Sequence, residues 1–227
     1  MNQPSLFPAL SASDRAQRQL NTRALLRRAG ILPVVTIRSL DQARALAAAL
    51  AKGGLDAIEL TLRSDIAMQA LGVLKRELPN VMVGAGTVRT PEQLKQVVDQ
   101  GVDFIVTPGT PPALARALVD CPVPVVPGGA TATELMALMD LGFDCVKLFP
   151  AVAVGGLALI KSLAGPLPDL QICPTGGIGE GNAADFLKQP NVICIGGSWM
   201  LAAEWLAEDR FDLIEAASRR ARTLLSA

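Results

Sequence analysis

The sequence predicts an α/β chain folded as a (β/α)8 TIM barrel with an extra N-terminal helix, and three observations carry that reading. The chain has 227 residues, 50% of them hydrophobic, which suits one domain with a substantial core. From Leu32 onward, short β-branched runs alternate with Ala/Leu-rich stretches of helical period, the pattern of parallel βα units. Eight such units can be counted, and eight at this chain length favour a closed barrel over an open doubly wound sheet.

Strands are expected at 32–37, 57–62, 81–85, 104–107, 123–126, 145–149, 171–174 and 192–195, with helices at 40–52, 65–78, 91–100, 112–119 and 133–141. Thr90-Pro91-Glu92 supplies an N-cap, a proline at the first helical position and an early acidic residue. Lys52-Gly53-Gly54, Gln100-Gly101 and Leu141-Gly142 place glycine where a helix needs a left-handed residue before the next strand. A helix at 12–28 precedes the first strand and is expected to cover the barrel bottom. Residues 1–22 form an N-terminal extension and the start of that helix, and 23–227 form a single barrel domain.

Composition removes several function classes. Twenty-one basic residues balance twenty-one acidic ones, so no net field draws in nucleic acid or an anionic membrane surface, and an anionic ligand must be held by local groups. Apolar stretches are broken by Gly, Pro or charge well before the roughly 20 residues of a spanning helix. The N-terminus lacks a basic cluster and a secretory apolar region, so a soluble cytoplasmic protein is expected. Cys121, Cys145, Cys173 and Cys194 lie far apart within or beside apolar runs and read as reduced core thiols rather than a zinc site. Histidine is absent, which excludes Ser-His-Asp and Cys-His catalysis and His-ligated metals. Neither a metal nor an organic cofactor is expected, leaving Lys, carboxylate, Arg, hydroxyl and backbone to do the chemistry.

In a barrel, function gathers where strands end and βα loops begin. Side chains alternate along a strand, so Ile58, Leu60 and Leu62 share one face while Glu59, Thr61 and Arg63 share the other. The apolar set must meet the outer helices, which sends the carboxylate, hydroxyl and guanidinium inward, either as an active site or as an internal Glu-Arg ion pair. In the segment Phe143-Asp144-Cys145-Val146-Lys147-Leu148-Phe149, Lys147 shares parity with Phe143, Cys145 and Phe149 and points inward too; the plain alternative is a lysine that snorkels to solvent.

Glycine marks a second constellation. Pro174-Thr175-Gly176-Gly177 follows the seventh strand and Gly196-Gly197-Ser198 the eighth, the strand ends where barrels often hold phosphate on backbone N–H groups. Tight turns also account for Gly-Gly pairs. At the third strand, Gly84-Ala85-Gly86-Thr87 ends in a hydroxyl suited to a carboxylate, or is only a close-packed strand end.

These residues resemble the class I 2-keto-3-deoxy-6-phosphogluconate (KDPG) and 4-hydroxy-2-oxoglutarate (KHG) aldolases. The likeness runs from about Leu32 to Trp199 and rests on Ile58-Glu59-Leu60-Thr61-Leu62-Arg63, Gly84-Ala85-Gly86-Thr87-Val88, Thr107-Pro108-Gly109, Val146-Lys147-Leu148-Phe149-Pro150-Ala151, Cys173-Pro174-Thr175-Gly176-Gly177-Ile178 and Ile195-Gly196-Gly197-Ser198-Trp199. The resemblance implies that Lys147 forms a Schiff base and that Glu59 is the general acid and base. It further implies that Arg63 and Thr87 bind the pyruvate carboxylate and that Gly176, Gly177 and Ser198 bind phosphate. Pro108, Thr175 and Gly197 fall inside the same motifs as substrate contacts, and Phe149 is left as an aromatic wall. A small phosphorylated keto acid is the implied partner, and a homotrimer the implied assembly. The 2-keto-3-deoxy-6-phosphogalactonate aldolases are the nearest alternative, and a non-catalytic barrel that binds phosphometabolites is the alternative outside enzymes.

Overall fold

A computed structural model of the chain describes residues 6–225. Residues 1–5 of the expected N-terminal extension, and 226–227 at the end of the expected domain, lie outside the described residues. The chain begins with α1 (Ala12–Ala29) and continues through β1 (Ile31–Val35), α2 (Leu40–Lys52), β2 (Ala57–Thr61), α3 (Ala67–Glu77), β3 (Met82–Gly86), α4 (Pro91–Asp99), β4 (Phe104–Val106) and α5 (Pro112–Val119). There follow β5 (Val125–Val126), β6 (Gly128–Gly129), α6 (Ala132–Asp140), β7 (Cys145–Leu148), α7 (Gly156–Ala164), β8 (Gln171–Pro174), α8 (Ala183–Leu187), β9 (Ile195–Gly197), α9 (Ala203–Ala207) and α10 (Phe211–Thr223).

All pairings are parallel, and the strands form a curled α/β arrangement of two sheets in the orders β5-β4-β3-β2-β1-β9 and β6-β7-β8. The sheets adjoin at Pro127. The carbonyl of Val126 accepts from Thr107 N–H at 3.3 Å on one side, and the carbonyl of Pro127 accepts from Lys147 N–H at 2.9 Å on the other. Proline has no N–H to give the ladder, so the strand expected at 123–126 is divided into β5 and β6 and runs on to Gly129. The sheets also approach through isolated bridges from Ile172 to Val192 and from Thr175 to Gly196.

Those two bridges correct the last expected strand. From Val192 to Gly196 is four steps, while from Ile172 to Thr175 is three, so one residue is extra in the later segment, as at a bulge. The regular strand is therefore Ile195–Gly197 instead of 192–195. Elsewhere α2, α5 and β8 start and stop where the sequence places them, and the remaining ends agree to within two residues.

Strand alternation sorts the buried side chains into two cores. Ile58, Leu60, Val83, Ala85, Ile105, Val146 and Leu148 belong to a large outer core with the helices. Ala57, Phe104, Val106, Val126, Cys145, Cys173 and Cys194 make a smaller inner one. Leu26 and Ala29 of α1 join the inner cluster beside Leu32, Ala57, Phe104 and Cys145, which lie at or near the starts of their strands. The extra helix thus covers the amino-terminal end of the sheet. All four cysteines are free and buried, as the sequence indicates; burial pushes the Cys121 thiol up to about 11 and raises Cys145 further.

Arg18 fastens α1 to the body. Its side chain is 5% exposed, and Nη1 donates to the carbonyls of Leu118 at 2.9 Å, Val119 at 2.9 Å and Cys121 at 2.6 Å. The last carbonyls of a helix lack partners within it, so one guanidinium serves the end of α5 while stacking 5.4 Å from the Phe143 ring centroid. Arg18→Met keeps much of the apolar stem and removes these bonds. It is expected to lower unfolding stability by about 2–4 kcal/mol, since hydrogen bonds from charged groups contribute more than neutral ones. Urea unfolding followed by circular dichroism measures this, and an unchanged midpoint would show that α1 is not fastened there.

Candidate active site

The site forms where β2, β7 and β8 end. Val34 pairs with Glu59 across β1 and β2, and Gly128 pairs with Lys147 across β6 and β7, so both charged groups occupy inward positions held by a strand on each side. Lys147 Nζ lies 3.0 Å from Glu59 Oε1 and 3.4 Å from Oε2. The two side chains are 4% and 1% exposed. This settles two alternatives: the lysine does not reach solvent, and the carboxylate's partner is Lys147 rather than Arg63. The ammonium also sits 5.4 Å from the centroid of the Phe149 ring, within cation–π range.

An ion pair of this kind needs interior space, and the glycines at inward positions provide it. A Cβ on Gly86 would fall 2.6 Å from Glu59 Cγ, and one on Gly84 would enter the Phe104 ring. A Cβ on Gly196 would come 3.1 Å from Thr175 Cβ. The Gly84-Ala85-Gly86 run is thus close-packed, and its last glycine is what admits the carboxylate. Thr87 follows with φ 60°, a left-handed conformation seldom adopted by a β-branched residue; it is half-buried next to that glycine.

Arg63 lies two residues past the end of β2, which stops at Thr61. It shares the parity of Glu59 and Thr61 and is exposed. Pro108 lies in the loop after β4, which is fixed by Gly128 N–H donating to Thr107 Oγ1 at 2.8 Å and by Thr110 Oγ1 donating to the Gly128 carbonyl at 2.8 Å.

At the ends of β8 and β9, Thr175 is 5% exposed, and its Oγ1 has no hydrogen-bond partner among the described residues. Gly176 and Gly177 follow with φ 99° and 76°, a backbone path natural only for glycine. Gly197 is buried and Ser198 exposed. The bridge from Thr175 to Gly196 brings these two loops together. Of the other lysines, Lys52, Lys95, Lys161 and Lys188 are exposed. Lys75 differs, being half-buried in an ion pair 2.6 Å from Asp103.

Sequence reasoning passed over Thr36. Its Oγ1 lies 2.8 Å from Thr61 Oγ1, and only its even spacing from Val34, along the same inward face, would have indicated it.

An amine beside a buried carboxylate, at the carboxyl edge of a parallel sheet, is the equipment of an amine-dependent carbonyl enzyme. Known proteins agree with that class. The family model described as KDPG and KHG aldolase matches residues 22–217. The 2-dehydro-3-deoxy-phosphogluconate aldolase of Pseudomonas aeruginosa is 42% identical over 205 residues, 90% of this chain and 93% of that protein. The KHG/KDPG aldolase of Escherichia coli K12 is 38% identical over 201 residues, 88% of this chain and 94% of that one. Among solved structures, a KDPG aldolase from Legionella pneumophila, with pyruvate captured as a covalent carbinolamine, superposes with a TM-score of 0.85 at 37% identity, covering 87% of this chain and 96% of that one. The chain belongs to the KDPG and KHG aldolase family and is a carbon–carbon lyase.

The crowding at Gly86 gives a direct test of the pair's geometry. Gly86→Ala must displace the Glu59 carboxylate from Lys147, and a shift of about 1 Å in a reacting group costs about 10²-fold. Turnover is expected to fall by that order while the far-ultraviolet circular dichroism spectrum is kept. Near-normal turnover would mean that the carboxylate's position is immaterial.

Proposed function

We propose that this chain is a class I aldolase that cleaves 2-keto-3-deoxy-6-phosphogluconate to pyruvate and glyceraldehyde 3-phosphate through a Schiff base on Lys147. Cleavage of 4-hydroxy-2-oxoglutarate to pyruvate and glyoxylate belongs to the same proposal. The observation that supports it best is the buried contact of 3.0 Å between Lys147 Nζ and Glu59 Oε1, together with family membership.

Taking an ammonium and a carboxylate out of water is costly, and a structural role alone does not call for it at a strand end. In the proposed mechanism Lys147 passes a proton to Glu59, leaving a neutral amine that attacks the C2 ketone, and the nitrogen then gives a proton to the new alkoxide to form the carbinolamine. Glu59, now protonated, gives its proton to the departing carbinolamine hydroxyl, which leaves as water. The resulting iminium accepts the electron pair released when the C3–C4 bond breaks. Glu59 takes the C4 hydroxyl proton in that step and returns it to C3 of the enamine, and hydrolysis then frees pyruvate and the amine. One carboxylate within reach of C2 to C4 suffices for every transfer.

Arg63 and Thr87 are assigned to the substrate carboxylate. Pro108 and Phe149 enclose the pyruvate half. Thr175, Gly176, Gly177, Gly197 and Ser198 take the phosphate, a role favoured by the unbonded, buried Thr175 hydroxyl and the two positive-φ glycines. Binding the remote phosphate helps hold the reacting bond in place. The remaining parts are a closed (β/α)8 barrel made by the two adjoining sheets, a single domain over 23–227 after an N-terminal extension at 1–22, a homotrimer and a cytoplasmic location. No helix among the described residues is long and apolar enough to cross a membrane.

Borohydride added with pyruvate is expected to leave one pyruvyl-derived adduct, located by mass spectrometry on the peptide containing Lys147. Lys147→Arg keeps the charge but forms no imine, and both adduct and turnover should vanish. Glu59→Gln should lose about 10²–10⁴ in turnover. An adduct on another lysine, or an active Lys147→Arg enzyme, would refute the mechanism. Rates on the gluconate-type, galactonate-type and unphosphorylated substrates rank the competing activities, and the gluconate type is expected to be fastest.

A further inference from the structure

We infer that Thr36 is a specificity-determining residue, which accepts a hydrogen bond from the substrate's C5 hydroxyl, the one lying between the C4 hydroxyl deprotonated by Glu59 and the phosphate. The inference rests on the aldolase reading above and concerns a residue outside the family motifs that carry it.

Proton allocation is its first support. Thr61 is fully buried, and its Oγ1 donates to the carbonyl of Val35 at 2.9 Å, while Thr36 Oγ1 lies 2.8 Å from the same oxygen. A hydroxyl has one proton and two lone pairs. If Thr61 gave its proton to Thr36, two acceptor oxygens, those of Thr61 and the Val35 carbonyl, would face each other at 2.9 Å in a buried site. Only one arrangement makes both contacts hydrogen bonds: Thr61 donates to Val35, and Thr36 donates to Thr61. The Thr36 proton is then committed. Among the described residues no other donor is bonded to Thr36 Oγ1, and the residue is exposed. Its outward lone pairs therefore present an acceptor and no donor, which suits a hydroxyl and rejects a carboxylate or phosphate oxygen.

Position is the second support. Val34 pairs with Glu59, and Thr36, one residue past the end of β1, is held on the same side by its contact with Thr61, roughly 7 Å nearer the carboxyl edge at the usual strand rise. On its other side β1 pairs with β9, Pro33 lying opposite Gly197. Thr36 consequently stands between the carboxylate on β2 and the Gly197-Ser198 loop after β9. A substrate extended from the proposed imine and C4 hydroxyl to the proposed phosphate site brings its C5 hydroxyl past this residue.

The test runs the reaction in the direction of synthesis, from pyruvate and either of two phosphorylated aldehydes. One is glyceraldehyde 3-phosphate, whose 2-hydroxyl becomes the C5 hydroxyl; the other is 3-oxopropyl phosphate, which lacks it. Thr36→Val replaces the hydroxyl by a methyl of similar shape. It should lower kcat/KM about tenfold for the hydroxylated aldehyde, the usual size of one lost hydrogen bond, and leave the deoxy aldehyde within about twofold. Thr36→Ser should restore the preference. Borohydride trapping with pyruvate alone should match wild type in both variants, because pyruvate carries no such hydroxyl. An equal loss on both aldehydes, or no loss on either, would overturn the assignment while leaving the aldolase reading in place. Absence of the pyruvate adduct in the wild-type protein would overturn the aldolase reading and this assignment together.

Discussion

A lysine and a glutamate share the interior of a parallel sheet, 3.0 Å apart and almost entirely out of water. Burying two charges carries a penalty that their attraction offsets only when the geometry is close and other partners contribute. Much of the local construction can be understood from that requirement. Glu59 is paired through its backbone with both β1 and β3, and Lys147 with both β6 and β8. Gly86 leaves the carboxylate its volume. The Phe149 ring lies beside the ammonium and adds a favourable face. Charge here is a local matter, since the chain as a whole carries equal numbers of acidic and basic residues.

Below the pair, the interior is apolar and closed. Cys145, Cys173 and Cys194 cluster with Phe104 and Val126, and α1 lies beneath with Leu26 and Ala29. The helix is polar for most of its length and is held largely by side-chain bonds: Arg18 to the carbonyls ending α5, Arg23 to Asp144 at 2.9 Å and Arg28 to Asp56 at 2.6 Å. Its anchors meet segments that precede β2, β5 and β7. That end of the sheet is thereby fixed, while the carboxyl edge keeps its loops for substrate, the usual division of labour in parallel α/β folds.

Period two along the strands was enough to read Glu59 and Lys147 as inward, because both residues lie inside regular ladders flanked by apolar neighbours of opposite parity. Arg63 lies two residues past the end of β2, where no ladder hydrogen bond fixes the backbone, so parity constrains its direction less than that of Glu59. Helix ends were legible wherever a cap encodes them: Thr90 accepts from Gln93 N–H, and Gly54, Gly101 and Gly142 all have positive φ. The division at Pro127 and the one-residue mismatch beside β8 were hidden, since they arise between strands. Thr36 was hidden as well, because its interest comes from Thr61 on the neighbouring strand, and the direction of that hydroxyl is set by the Val35 carbonyl.

The proposed chemistry turns on a covalent bond to one nitrogen. A crystal of the protein soaked in pyruvate and cooled rapidly tests it most directly. Continuous electron density is expected from Lys147 Nζ to C2 of pyruvate, with a Glu59 carboxylate oxygen within hydrogen-bond reach of the adduct. Pyruvate bound with no bond to Lys147, or bonded to any other lysine, would contradict it.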